Sequence, residues 1–151
     1  MNSILAAFDR QFVLLDEGSR ELLGKIDDAQ LFARVADTGS LSGASVGEYI
    51  LRSAAMVEKT FGGITTRLWD DPFEWTLPEK LSDKAAVLNY LDEVETTRAK
   101  GFAFFTSDDD LRREIPAPET LTPIIDILLD TLVKASDYQG RAVAVSVALR
   151  Q

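Results

Sequence analysis

Across residues 124 to 149, apolar side chains return every three or four positions: Ile124, Ile125, Leu128, Leu132, Ala135, Tyr138, Ala142, Val145 and Leu149. That period lays them along one side of an α-helix and would scatter them over both faces of a strand. The stretch "RAVAVSVAL" near its end has the β-branched content of a strand, yet the stripe passes through it in phase, so the helical reading holds. One helix cannot bury its own stripe, and other segments must cover it.

Three further segments can supply that cover. The first spans about residues 3 to 26, with Ile4, Leu5, Phe8, Phe12, Leu15, Leu22, Leu23 and Ile26 on its apolar side and Asp9, Arg10, Glu17 and Arg20 left for solvent. The second opens at Ser45, which with Glu48 has the spacing of a capping box, each side chain closing the other's open backbone N–H. Val46, Tyr49, Ile50, Ser53, Val57, Phe61, Ile64 and Leu68 follow at helical intervals. Gly62 and Gly63 interrupt this run at a cost of roughly 1 kcal/mol each relative to alanine, which implies a bend, a close helix contact or an early end. The third begins near Ser82, which is expected to be its N-cap, and continues to about Phe105, burying Val87, Leu88, Leu91, Val94, Phe102 and Phe105. The last starts at about Glu119 or Thr122.

The connectors are rich in Gly, Ser and Pro. One has room for a helical turn at "AQLFARV", and another for a short turn at "TSDDDLRR", where Ser107 and Asp110 repeat the capping-box spacing. No segment reads as a strand. The expectation is one all-α domain over residues 1–151, a four-helix bundle with long connecting loops.

Chemistry is narrowed by absences. The chain has no histidine and no cysteine. That removes His-based triads, thiolate nucleophiles, disulfides and nearly every zinc, iron or nickel site that proteins build. Carboxylate, lysine, tyrosine, arginine and serine remain. A net charge of −9 without a dense Lys/Arg cluster argues against nucleic acid and against an anionic membrane surface as partners. No apolar run approaches the ~18 residues of a spanning helix. The start "MNSILAAFDRQF" lacks a basic region and long apolar core, so no signal peptide is expected and cytoplasmic is the default location.

The polar faces carry a pattern. Glu48, Arg52 and Lys59 lie close to one line on the second helix, and Asp126, Asp130, Lys134, Asp137 and Arg141 on the last. Acid precedes base by four residues in Glu48/Arg52, Asp130/Lys134 and Asp137/Arg141. Such pairs stabilise a helix by about 0.2–0.5 kcal/mol each, so a solvated, ion-paired face accounts for them. The same residues also fit two faces meeting across a cleft to form a charged pocket with Tyr138. Trp69, Phe73 and Trp75 either pack a loop onto the helices or line a pocket mouth, and Phe104, if exposed, marks a partner surface. The acidic runs Asp70, Asp71 and Asp108, Asp109, Asp110 lack the alternate spacing around glycine of a calcium loop, and helix capping explains the second run better.

Two stretches, "SVGEYILRSAAMVEKTFGG" and "LVKASDYQGRAVAVSVALRQ", are together similar to the DinB/YfiT-like metalloenzyme superfamily of four-helix bundles. In that family the second helix opens with a Ser-Ile-Gly-Glu-like start and carries a metal-binding histidine a turn or two on. The last helix carries His-x-x-x-His followed by Arg-Gly-Gln. Setting "YQGR" against the latter places Gly140 on the family glycine and the two ligand positions on Lys134 and Tyr138, with the first ligand at Arg52. None is a histidine. Ammonium and guanidinium offer no lone pair and repel a dication, so the family's metal-dependent transferase and isomerase activities do not carry over.

The resemblance therefore implies a bundle with no metal and no cofactor, acting as a binding or interaction protein for a small molecule or as a homodimer. Its candidate pocket comprises Arg52, Lys134, Tyr138, Glu48, Asp130, Asp137 and Arg141, the cations standing in electrostatically for the missing ion. The alternative is a transferase-like or isomerase-like enzyme with Tyr138 as proton donor and Lys134 as base or electrostatic clamp.

Overall fold

The structure, a computed structural model, describes residues 3–35, 43–72 and 81–150. Its elements run α1 (Ser3–Gly24), α2 (Asp28–Leu31), α3 (Val46–Thr66), α4 (Lys84–Ala103), a 3-10 turn (Asp108–Arg112), β1 (Glu114–Pro116), β2 (Leu121–Pro123) and α5 (Ile124–Leu149). The fold is mostly helical. α3 packs on α5 and on α4, and α1 lies against both α4 and α5, so each long helix covers the stripes of two others. Phe12, Phe61 and Phe102 meet at the centre with ring centroids 5.1, 5.9 and 5.2 Å apart, joining α1, α3 and α4 in one continuous core.

Local chemistry sets the helix ends. The Ser45 hydroxyl accepts from the Glu48 N–H at 3.2 Å while the Glu48 carboxylate accepts from the Ser45 N–H at 3.3 Å, completing the expected capping box. The chain leaves α3 at Arg67, which adopts a left-handed conformation with φ 63°. For α4 the cap is Asp83 rather than Ser82: its carboxylate accepts from the Ala86 N–H at 2.8 Å, and a charged acceptor serves the positive helix end better than a hydroxyl. α1 borrows both of its caps. Asp108 accepts from the N–H groups of Ile4 and Leu5, and the Lys84 amine donates to the carbonyls of Leu23 and Ile26 at 3.3 and 2.7 Å.

α3 runs unbroken through Gly62 and Gly63. The close contact found there is with a side chain of the following loop rather than with another helix. A Cβ on Gly63 would lie 2.1 Å from the Trp69 ring, which folds back on the helix just after it ends. Gly101 on α4 makes the same allowance for Phe61, with 2.3 Å left.

Several boundaries differ from the sequence reading. The early helical turn is Asp28–Leu31, capped by Asp27, and begins before "AQLFARV". Ile4 and Leu68, both assigned to apolar stripes, are exposed, Ile4 in the first turn of α1 and Leu68 beyond the left-handed Arg67. β1 and β2 form an antiparallel hairpin that the sequence did not announce, pairing Glu114 with Pro123, Ile115 with Thr122 and Pro116 with Leu121. Strands this short cannot display a period, and Pro116 and Pro123 discourage the assignment. Because β2 occupies residues 121–123, α5 starts at Ile124 rather than at Glu119 or Thr122.

Replacing Gly101 by alanine improves intrinsic helix propensity by about 1 kcal/mol. Here the added methyl meets a fully buried ring with nowhere to go, so urea unfolding of Gly101→Ala should show a net loss of about 1–3 kcal/mol. Unchanged or increased stability would mean that α3 and α4 are not this close.

Candidate functional site

The site is built on the antiparallel contact of α3 with α5. Ser53 donates its buried hydroxyl to the Ala135 carbonyl at 2.8 Å, and Thr60 and Thr131 share a hydroxyl–hydroxyl bond at 2.6 Å. Arg52 immediately precedes Ser53, and Lys134 immediately precedes Ala135. Stepping back one residue on each of two facing antiparallel helices turns both side chains by about 100° toward the same edge of the seam. Arg52 and Lys134 thus share an edge, and Arg52 is half-buried there.

Tyr49 and Tyr138 mark the same edge one turn further along, their rings stacked with centroids 6.4 Å apart and 29° between planes. Arg141 lies beside Tyr49 and pairs with Asp137 at 2.9 Å, and these two neighbours hold its guanidinium above the usual arginine range. Tyr138, Lys134, Asp137 and Arg141 line a shallow depression of about 400 Å³ with Val133.

A second hollow of about 420 Å³ opens beside it between α3, α5 and the hairpin, and Lys134 lines both. Met56, Lys59, Ile127, Asp126 and Asp130 form its sides above the Thr60–Thr131 pair. Trp69 closes one wall, held by an Nε1–H bond to the Pro116 carbonyl at 3.1 Å, with Pro118 beside it. Lys134 is paired with Asp130 at 2.9 Å. Among the described residues, Lys59 and Asp126 have no ion-pair or hydrogen-bond partner.

The candidates named from sequence divide accordingly. Lys134, Asp130, Tyr138, Asp137 and Arg141 come together at the two hollows, and the i,i+4 pairs on α5 form as expected. Glu48 is committed elsewhere: one oxygen meets Arg34 at 2.7 Å and the other caps Ser45, so it ties the preceding connector to α3. Trp69 serves both roles considered for it, packing on Gly63 and walling the groove, while Phe73 and Trp75 lie outside the described residues. Phe104 is half-exposed at the end of α4.

The acidic run after α4 works in capping. Asp108 serves α1, and Asp110 accepts from the N–H groups of Thr106 and Ser107, which holds its carboxyl below the usual range. Among the described residues no three acidic side chains gather as a metal site would need. No protein-family model matches the chain, and no curated protein does either.

The sequence reading missed a charged cluster between α1 and α4. Arg98 is buried, donates through Nε to both Glu95 oxygens at 3.1 Å, pairs with Asp9 and lies over the Phe102 ring at 5.8 Å. Nearby, Arg20 bridges Asp16 at 2.7 Å and Asp92 at 2.8 Å. Arg98 falls in step with Val94 and Phe102, four residues from each, and a charge in phase with an apolar stripe was the available signal. Asp16, Ser19, Ser53 and Glu95 also border a narrow crevice of about 20 Å³, room for one water. On the far side of α4, Tyr90 donates to Glu58 at 2.6 Å, and burial and that carboxylate drive the phenol far above its usual range.

Burial raises the Glu95 carboxyl above its ordinary 4.5 despite the opposing pull of Arg98. The folded chain therefore holds this proton more tightly than the unfolded chain does. The stability that Glu95 contributes is complete below the unfolded value and fades as pH rises through the folded one. Glu95→Gln should accordingly gain on the parent protein as pH rises above the ordinary carboxyl range of about 4 in urea titrations. A stability difference that does not change with pH would contradict this assignment.

Proposed function

We propose that the chain is a DinB-like four-helix bundle in which the metal position has become a metal-free binding groove for a small organic anion with an apolar body. The observation that supports this most is the place of Lys134. The resemblance puts a metal ligand there, and the side chain lines a groove of about 420 Å³ together with Lys59. That volume lies within the ~300–1,000 Å³ of small-molecule sites. With Lys134 neutralised by Asp130, Lys59 is the ammonium left to meet a carboxylate, while Trp69, Met56 and Ile127 offer apolar contact to the remainder. Ammonium and guanidinium groups at this edge deter a dication.

The enzymatic alternative, transferase-like or isomerase-like, draws on Tyr138 and Lys134 lining the same 400 Å³ depression. It requires a lysine withdrawn from water. The Lys134 side chain is 56% exposed with its amine 2.9 Å from Asp130, so binding is the better-supported reading. No helix among the described residues is long and apolar enough to cross a membrane, and the reading involves neither membrane nor nucleic acid.

Hexanoate and hexylamine distinguish the proposed ligand class, since they share an alkyl body and differ in charge. In ¹H–¹⁵N spectra of the labelled protein, hexanoate should shift the Trp69 indole signal and hexylamine should not. Lys59→Met should weaken hexanoate binding about tenfold, the loss expected for one charge-assisted contact. Equal response to both probes, or an unaffected Lys59→Met, would dismiss the groove as an anion site.

A further inference from the structure

The outward face of α5 carries large apolar side chains that nothing among the described residues covers. Leu129, Val133, Val143 and Val147 are 49, 68, 46 and 47% exposed. With Ser136 and Gly140 between them they form a line whose intervals are four, three, four, three and four residues, the spacing of a helix–helix seam. Asp126 stands three residues before this line and Arg150 three residues after it.

Gly140 adds an independent observation. A glycine inside a helix costs about 1 kcal/mol relative to alanine. A Cβ built on Gly140 would meet nothing within 4 Å, so among the described residues no neighbour requires its absence. A second helix backbone approaching at that point would.

We infer that this face of α5 is an antiparallel two-fold interface with a second copy of the chain. The order of residues is the reason. Read from either end, the line gives the same intervals, with small residues at the centre, large apolar ones outside them and opposite charges at the two ends. A two-fold axis at the level of Tyr138 sets Leu129 against the partner's Val147 and Val133 against the partner's Val143. It also sets Ser136 against the partner's Gly140 and Asp126 against the partner's Arg150. A parallel pairing would instead oppose Asp126 to itself and Arg150 to itself. An unrelated partner gives no reason for the symmetry.

The flanking ion pairs Asp130–Lys134 and Asp137–Arg141 leave that edge of α5 without net charge, so it does not repel its own copy. On the other flank Leu14 of α1, half-exposed, borders a depression of about 220 Å³ with Gln11, Leu132 and Ser136 and widens the apolar patch. This surface touches the groove only at Asp126 and the adjoining depression at Val133, and the inference does not depend on the proposed ligand.

Light scattering on the full chain at tens of micromolar should give twice the 16.6 kDa monomer mass. Val133→Asp should give the monomer mass with an unchanged far-ultraviolet spectrum, because the replaced side chain is 68% exposed and lies outside the core. Orientation can be read by cross-linking, since the natural chain has no cysteine. A mixture of Val133→Cys and Val143→Cys proteins should form a disulfide on mild oxidation. Val133→Cys alone should not, its two sulfurs being separated by about 15 Å along the paired helices. A monomeric parent protein, a dimer undisturbed by Val133→Asp, or faster linking of Val133→Cys to itself than to Val143→Cys would each overturn the inference.

Discussion

Two buried hydroxyl bonds determine much of this molecule. Ser53 reaches the Ala135 carbonyl, and Thr60 meets Thr131, all from the apolar seam between α3 and α5. A hydroxyl buried without a partner costs about 1–3 kcal/mol. Sliding one helix past the other by a residue would part Ser53 and Thr60 from their partners, while Thr131 keeps its bond to the Ile127 carbonyl. Leucines alone would tolerate several offsets, whereas these hydroxyls favour one. The offset they choose decides what arrives at the seam's edge: the Tyr49–Tyr138 stack, and Lys59 across the groove from Asp130 and Lys134.

The remaining elements hold that seam in place and shape its surroundings. α1 depends on Asp108 for one end and Lys84 for the other, so α1 is fastened by the first residue of α4 and by the turn that follows α4. Arg98 adds a buried tie from α4 to Asp9 of α1. Trp69 occupies the space that Gly63 leaves open and reaches the hairpin through Pro116, which turns an irregular stretch into a groove wall. In a chain of net charge −9, cations are placed where helices meet, and there they offset the acids that accompany them.

Periodicity made the four long helices legible, including the β-branched end of α5, because a stripe maintained over many residues outweighs local preference. Capping was legible at Ser45 and Ser107, where the partner acid stands three residues on. It failed at Ser82, where the adjacent Asp83 was the stronger acceptor, and it could not foresee Asp108 capping α1 from the other end of the chain. The hairpin escaped because three-residue strands have no period. At the site, α5 announced its ion pairs, but the hydroxyl bonds that set the register looked like ordinary small residues in a stripe. Arg98 was overlooked because its partners lie on two helices, and only Glu95 is near it in sequence.

The proposed function rests on the α3–α5 register setting Arg52, Lys134 and Tyr138 along one edge of the seam, the positions where the resemblance would put metal ligands. Restoring lone pairs tests it directly. The triple variant Arg52→His, Lys134→His, Tyr138→His should bind one equivalent of zinc or nickel by calorimetry, with the parent protein binding none. A triple variant that binds no more metal than the parent would show that these three positions do not converge.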